Sequence, residues 1–257
     1  MPITPRRMPF MQHLNELRKR LTVVIAVVGV LTLVGYFYSD EIYRILIGPM
    51  LPVLGDSGSY TLDLLEAMAN RFRLGMFGAV VVGSPVIIYE SFAFFVPALK
   101  VKERRWFGWT TFAAGLLFLA GVTFCYLFIL EPSTAWLVNQ SGETFELLLR
   151  AQSAMTFAMW FLAGFGLAFE VPVVVFYLVY FNVIPYVTLR KNWRVVWVVI
   201  VTIASMITPD WNPWSMAALS GVMIALFESS MLLVRFALAR KIKAAAKIDI
   251  DDDEEEA

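Results

Sequence analysis

Six long apolar runs dominate the sequence and limit what it can fold into. They are Leu21 to Tyr38, Leu74 to Leu99, Trp106 to Leu130, Ala154 to Phe181, Val195 to Ile207 and Trp214 to Val234. All but the fifth exceed the ~17 residues that a helix needs to cross a bilayer. Because runs of this length lack the alternation of a membrane barrel, helices must satisfy their backbone groups. With 59% hydrophobic residues and a mean hydropathy of +0.69, the chain is predicted to be an all-α polytopic membrane protein with six transmembrane helices.

The distribution of basic residues predicts the orientation of the chain. Six spans place both termini on the same side of the membrane. The 21 Lys and Arg residues lie mostly on that side, and the exceptions are Arg44, Arg71, Arg73 and Arg150. Since basic loops stay in the cytoplasm, we expect both termini there. Residues 1–236 are then a membrane domain, and residues 237–257, basic and then acidic, are predicted to be a disordered cytoplasmic tail.

The residue inventory argues against an enzyme. Cys125 is the single cysteine and His13 the single histidine, and His13 lies outside the spans. A disulfide framework and a multi-cysteine metal site are thereby excluded, as is a histidine-activated nucleophile within the membrane. Ser84, Ser205 and Ser220 occur in spans without a histidine or lysine to act as base, so a membrane protease is rejected. No cofactor and no nucleic-acid partner is predicted.

Three carboxylates fall within the spans: Glu90, Glu170 and Glu228. We expect them to lack a cationic partner inside the membrane, so each must be protonated, hydrated or matched by another molecule. Glu170 is farthest from the ends of its span and is the strongest candidate for function. Glu228 has a second interpretation, in which it reaches the cytoplasmic interface near Arg235. Glu90 is equally well explained as a structural hydrogen-bonder in the helix that Pro85 loosens.

Two further acids lie among cations at the predicted cytoplasmic surface. Glu16 belongs to a segment in which Leu14, Leu17 and Leu21 recur at helical spacing, which indicates an amphipathic helix leading into the first span. Glu103 lies between the second and third spans, in a similarly basic segment. Spacing alone favours local ion pairs for both acids, although it leaves open a binding site for an external cation.

The fifth run and the two outer loops are unusual. The 13 residues from Val195 to Ile207 rise only ~20 Å, which is shorter than the ~30 Å hydrocarbon core. Thr208-Pro209-Asp210 then predicts a sharp outer turn.

The long loops Ser39 to Arg73 and Glu131 to Ser153 are compatible with either a packed outer cap or loose solvated chain.

Together these stretches resemble the TatC family, the multispanning subunit of the twin-arginine protein translocase. The likeness runs from about residue 10 to residue 236. The matching motifs are His13 to Leu21, Ser84-Pro85 through Phe92, Phe94, Pro97, Leu99, Glu103-Arg104, Phe118-x-x-Gly121-x-x-Phe124-x-Tyr126, Phe165 to Pro172, Thr208-Pro209-Asp210 and Phe227-Glu228. One departure concerns the outer turn, where the family usually has a second proline before the aspartate and a Ser-Gln pair after it.

The resemblance implies a concave six-helix bundle that acts as a receptor and core translocase subunit in the cell membrane, exporting folded proteins with the proton motive force. Implied partners are twin-arginine signal peptides, the single-span subunits TatA and TatB, and further copies of the chain. The residues implied in signal-peptide binding are Glu16, Glu103, Arg18, Arg104 and Phe94. Glu170, with Glu90 and Glu228, is implied as an intramembrane polar site. Pro209 and Asp210 form the implied outer turn.

The main alternative is a proton-coupled transporter of small solutes, with Glu170 as the proton site. The spans contain no basic residue, the sequence shows no internal repeat, and the fifth run is short. These three features weigh against that alternative.

Overall fold

The computed structural model describes residues 10–54, 60–61, 63–93, 104–140, 150–181, 183–208 and 212–237. Within these ranges the regular elements are helices, which confirms the all-α prediction, and an isolated backbone bridge joins Tyr60 to Arg150. The described residues divide into two compact units, with the boundary between Gly166 and Leu167.

The first unit begins with α1 (Phe10–Phe37), a single helix that continues the predicted amphipathic segment directly into the first apolar run. The following helices are α2 (Ser39–Ile47), a 3-10 turn (Gly48–Met50), α3 (Leu51–Leu54), α4 (Leu64–Ala93), α5 (Arg104–Phe124), a π-helical turn (Cys125–Ile129), α6 (Leu130–Gln140) and α7 (Ala151–Ala168). The last two residues of α7 belong to the second unit.

The second unit contains α8 (Val171–Tyr180), α9 (Tyr186–Lys191), α10 (Trp193–Ile207) and α11 (Pro213–Ala237). Helix α11 packs against both α8 and α10. The described chain ends with α11 at Ala237, so the predicted tail and the domain boundary at residue 236 stay predictions.

Five described helical segments are long and apolar enough to cross a membrane: Leu14–Phe37, Leu65–Ala93, Gly108–Gln140, Ala151–Tyr180 and Pro213–Phe236. The remaining predicted span corresponds to α10, a shorter apolar helix of 15 residues. At 1.5 Å per residue α10 is ~22 Å long, so its predicted shortness is confirmed. The third span extends ten residues beyond its predicted end at Leu130, because the π-helical turn joins α5 to α6 without a break.

Helices α1 and α4 run antiparallel and approach closely through two glycines. A Cβ atom on Gly35 would lie 2.9 Å from the Cα of Gly75, and one on Gly75 would lie 2.8 Å from the carbonyl oxygen of Thr32. Small residues permit this contact between backbones, which is how helices associate where lipid removes the hydrophobic driving force. The packing sets the register of the two helices, so that Arg20 on α1 pairs with Glu90 near the end of α4. Near the start of α4, Arg71 pairs with Asp40 in the first turn of α2.

Helix α4 continues through Pro85 because a neighbouring hydroxyl replaces the missing donor. Proline has no N–H, so the carbonyl of Val81 loses its usual helical partner. The Ser84 hydroxyl donates a hydrogen bond of 2.8 Å to that carbonyl oxygen. Gly115 on α5 faces Pro85, and a Cβ there would be in ordinary van der Waals contact, 3.6 Å from the Cα of Pro85. In the Ser84-Pro85 motif, the serine hydroxyl therefore bonds the carbonyl oxygen that the proline leaves without a backbone donor.

Residues from the two predicted outer loops contact each other. Arg150 donates two hydrogen bonds to Glu66, from Nε to Oε1 at 2.9 Å and from Nη2 to Oε2 at 3.1 Å, and the Glu66 side chain is only 4% exposed. This hydrogen bonding raises the pKa of Arg150 above its ordinary value. The Ala151 N–H also donates to the carbonyl of Tyr60. Of the two interpretations of these loops, the packed cap is the one that the described residues support.

An open apolar pocket and a hydrogen bond from the π-helical turn lie beside the cap. The pocket measures ≈ 220 Å³ and is lined by Met50, Leu54, Thr134, Leu137, Val138, Ser153, Ala154 and Phe157. The Tyr126 hydroxyl donates a 2.8 Å hydrogen bond to the carbonyl oxygen of Ile45, in the last turn of α2. The π-helical turn thus fixes α2 against the third span.

We predict that Gly75→Ala destabilises the chain, because the added methyl group would overlap the backbone of α1. Overpacking of this kind costs ~1–3 kcal/mol, so the melting temperature in detergent should fall by several degrees. Gly29→Ala is the matched control on α1, since a Cβ there meets nothing within 4 Å. It should leave the melting temperature unchanged or raise it slightly through helix propensity. Equal behaviour of the two variants would contradict the close approach of α1 and α4.

Candidate functional site

The first candidate group is an arginine held between two carboxylates. Arg20 Nη2 lies 2.7 Å from Glu16 Oε1, one helical turn earlier on α1, and Arg20 Nη1 lies 2.9 Å from Glu90 Oε2 on α4. The i, i+4 spacing brings Glu16 and Arg20 together on one helix face. The three side chains are 23%, 23% and 16% exposed for Arg20, Glu16 and Glu90. The group is partly accessible from outside and carries a formal charge of minus one.

The prediction that Glu90 lacks a cationic partner within the chain is wrong. Arg20 and Glu90 are 70 positions apart in the sequence. They meet because the glycine contact between α1 and α4 fixes the register of two antiparallel helices. Glu90 therefore acts as a hydrogen-bond acceptor for Arg20, which agrees with the structural interpretation of this acid and leaves its functional role open.

The other predicted signal-peptide residues are only partly described. Arg18 is exposed on α1, close to Glu16 in sequence, and Lys19 is exposed beside it. Arg104 is the first residue of α5, but its side chain is not among the described parts of the structure. Phe94 and Glu103 lie wholly outside the described residues. The relation between Glu16 and Glu103 therefore stays a prediction.

Glu228 also has a partner that the sequence did not predict. Arg190 Nη1, on α9, lies 2.9 Å from Glu228 Oε2 on α11. The prediction of an unpaired acid is wrong here as well, and the cation is Arg190 rather than Arg235. Arg190 follows α8 through a short connection, and this places it beside α11, against which α8 packs. Both side chains are substantially exposed, at 58% and 34%.

Glu170 differs from the other two acids. The predicted continuous span is interrupted here, with α7 ending at Ala168 and α8 beginning at Val171. Pro172 explains the break, because it cannot donate to the carbonyl of Ala168. The Glu170 backbone remains bonded, with its N–H donating to Leu167 and its carbonyl accepting from Val173 and Val174. Both side-chain oxygens, however, are buried and have no hydrogen-bond partner among the described residues.

The predicted outer turn is described only at its two ends, since Pro209 and Asp210 lie outside the described residues. Thr208 closes α10, with its N–H and its hydroxyl both donating to the carbonyl of Ala204. Asn212 opens α11: its Oδ1 accepts a 2.9 Å hydrogen bond from the N–H of Trp214, and its carbonyl accepts from Met216. Pro213 follows at the first helical position, where its missing N–H has no cost.

Comparison with known sequences and structures decides the family. The sequence model of the Sec-independent protein translocase protein (TatC) matches residues 12–221 of this chain. The chain belongs to the TatC family. The match covers α1 through the first turns of α11, and so includes Glu16, Arg20, Glu90 and Glu170.

Individual TatC proteins are similar over nearly the whole chain. The TatC protein of Carboxydothermus hydrogenoformans is 25% identical over 93% of this chain and 98% of its own length. That of Escherichia coli K12 is 29% identical over 89% of this chain and 88% of its own. A crystal structure of the twin-arginine translocase receptor TatC in DDM has a TM-score of 0.73 at 26% identity, covering 86% of this chain and 98% of that one.

Sequence reasoning did not identify Arg20 and Arg190 as the partners of the acids at the candidate site. The pairing of Arg20 with Glu16 had a signal, namely the i, i+4 spacing with the acid placed first. No sequence signal indicated the other two pairings, because they depend on how separate helices pack. These are Arg20 with Glu90 and Arg190 with Glu228. From the sequence, Arg190 serves only as evidence for orientation, whereas Arg20 also belongs to the basic segment around Glu16.

We predict that Asn212→Ala destabilises the chain by ~1 kcal/mol, because the N–H of Trp214 loses its capping acceptor. The free energy of unfolding of α10 and α11 is measured by hydrogen exchange of the protein in detergent. Asn212→Ser is the matched control, since serine also caps helices. A loss as large in the serine variant as in the alanine variant would contradict a capping role for Asn212.

Proposed function

We propose that this chain is the signal-peptide receptor and core subunit of a twin-arginine translocation system, which exports folded proteins across a cell membrane. Membership of the TatC family over residues 12–221 supports the translocase over the solute-transporter alternative. The likeness to a solved twin-arginine translocase receptor supports the receptor role. No described feature favours small-solute transport.

The observation that carries the binding role is the environment of Glu16. Its carboxylate is partly exposed and already accepts a hydrogen bond from a guanidinium group, that of Arg20. A surface of this chemistry fits the side chain of a signal-peptide arginine. Family resemblance adds Glu103 as the second acid, with Arg18, Arg104 and Phe94 beside the peptide.

Arginine and lysine differ as ligands for such a site. A planar guanidinium can donate two parallel hydrogen bonds to one carboxylate, whereas an ammonium group is a single compact charge. A hydrogen bond to a charged group contributes ~1.5–3 kcal/mol, so two acids favour paired arginines strongly. The neighbouring cation Arg18 repels a badly placed positive charge, which adds to the selectivity.

The assembly around the receptor follows the same family expectation. We propose six spans with both termini in the cytoplasm, TatA-like and TatB-like single-span partners, and association with further copies of the chain. Energy from the proton motive force drives transport. Reporter fusions at residue 257 and in the loop after α6 test the orientation, since they should report opposite sides of the membrane.

We predict that Glu16→Gln weakens binding of an Arg-Arg signal peptide by about 10- to 100-fold, which corresponds to the loss of a charge-assisted hydrogen bond. A photo-crosslinking residue at Leu17, which is exposed and adjacent, reports the contact. Glu103→Gln should have a similar effect. Glu41→Gln is the matched control, because Glu41 is an exposed acid on α2. Unchanged crosslinking in Glu16→Gln would exclude Glu16 as a peptide ligand.

We also propose that Glu170 accepts a polar group from a partner subunit or from the signal peptide within the membrane. Its two buried oxygens have no hydrogen-bond partner in the described chain. Such a carboxylate is costly to keep and is retained where a second molecule supplies the missing bonds.

We predict that Glu170→Leu raises the melting temperature of the isolated chain and abolishes transport, because the substitution removes a buried unpartnered acid together with its binding role. Thermal unfolding in detergent and an export assay in cells measure the two effects. Glu131→Leu, at an exposed acid on α6, should change neither. A lower melting temperature in Glu170→Leu would mean that Glu170 stabilises this chain itself.

A further inference from the structure

We propose that Arg20 is an internal competitor for the signal-peptide site: it occupies Glu16 until a peptide arginine replaces it, and it is then held by Glu90. This inference rests on the proposed function, because it assumes that Glu16 binds the peptide. It assigns to Arg20 and Glu90 a role in setting affinity and the preference for arginine over lysine.

The geometry of the group suits exchange. Arg20 uses different nitrogens for its two partners, Nη2 for Glu16 and Nη1 for Glu90, and each contact is a single hydrogen bond. The bond to Glu16 can therefore break while the bond to Glu90 remains. The Nε atom of Arg20 is buried and has no partner among the described residues, so the guanidinium is not fully satisfied where it lies.

The Glu66–Arg150 pair shows what a two-bond arginine contact to a buried acid looks like in this chain. That guanidinium makes two parallel hydrogen bonds to one carboxylate, and the acid is 4% exposed. Glu16 and Glu90 are more exposed and share one arginine through single bonds. The comparison separates a structural ion pair from one that is accessible to a competing ligand.

The charge balance favours the entry of one further cation. Glu16 and Glu90 carry two negative charges against the single positive charge of Arg20, so the group has a surplus of one negative charge. When a guanidinium binds Glu16, Arg20 and Glu90 form one neutral pair and the peptide arginine and Glu16 form a second. Every charge then has a partner.

The competition discriminates against lysine. Arg20 already contacts Glu16 Oε1 at 2.7 Å. A second guanidinium bonded to both Glu16 oxygens would bring two positive charges together, so the two-bond contact favours the departure of Arg20. An incoming arginine replaces the lost bond with two bonds, whereas a lysine offers a single point of contact. Displacing Arg20 is consequently less favourable for a Lys-Lys peptide than for an Arg-Arg peptide.

The test is a mutant cycle on the full chain in lipid nanodiscs, with Arg20→Gln, Glu90→Gln and the double variant. Binding of an Arg-Arg signal peptide and of its Lys-Lys version is measured for each. We expect Arg20→Gln to strengthen binding of both peptides, by about three- to tenfold for the Arg-Arg peptide and by more for the Lys-Lys peptide. Glu90→Gln should weaken binding by a similar factor, because Arg20 then holds Glu16 alone. In the Arg20→Gln background, Glu90→Gln should have no further effect.

Lys19→Gln is the matched control, since Lys19 is an adjacent exposed cation without a described partner. It should change the binding of both peptides by the same small factor. A control effect equal to that of Arg20→Gln would reduce the role of Arg20 to general repulsion and overturn the inference. If Arg20→Gln shows no melting transition and is therefore not folded, Arg20→Lys replaces it in the test, because lysine keeps the positive charge. Arg20→Lys should lower the preference for the Arg-Arg peptide over the Lys-Lys peptide by less than Arg20→Gln does.

Other outcomes also overturn the inference. Weaker Arg-Arg binding in a folded Arg20→Gln protein would make Arg20 a supporting residue. A loss from Glu90→Gln that persists without Arg20 would make Glu90 a direct ligand. Failure of the proposed function gives a different pattern, in which the unmodified chain binds no peptide or Glu16→Gln binds it normally, and the inference then fails with it.

Discussion

The contact between Gly35 and Gly75 is the interaction on which the described part of the site depends. Because neither residue has a side chain, the backbones of α1 and α4 lie within van der Waals distance. That approach sets the register of the two helices and brings Arg20 opposite Glu90, so that residues distant in sequence share hydrogen bonds. The electrostatic group on this face is thus a consequence of a steric feature 15 residues, or about 22 Å, away along the same two helices.

The acids of this chain fall into three chemical situations. Glu66 is buried and makes two bonds to one arginine, which stabilises the cap. Glu16 and Glu90 share Arg20, and both carboxylates can accept further hydrogen bonds. Glu228 pairs with Arg190, whose side chain is exposed. Glu170 is buried with both oxygens unpaired in the described chain. Binding to other molecules is expected of the acids with unused capacity, and not of Glu66.

The sequence predicted the helical class, five of the long spans and the shortness of α10, because these depend on the length and composition of apolar runs. It also predicted Glu170 as an exceptional residue, since a carboxylate beside Pro172 in an apolar run needs no tertiary information to be recognised. The partners of Glu90 and Glu228 were predicted wrongly, because counting cations outside the spans ignores how far an arginine side chain reaches. The extension of the third span to Gln140 depends on a π-helical turn that has no marker in the sequence.

The hydrogen bond from Ser84 to the carbonyl of Val81 ties the identities of two neighbouring residues to each other. Pro85 removes one donor from the helix, and the serine hydroxyl supplies one. Replacing the serine alone would leave the Val81 carbonyl oxygen without a donor inside the membrane. Replacing the proline alone would give that oxygen two donors, which a carbonyl accepts, as the hydroxyl of Ser91 shows at Ile87. Descendants of this sequence should therefore lose the serine only after they have lost the proline.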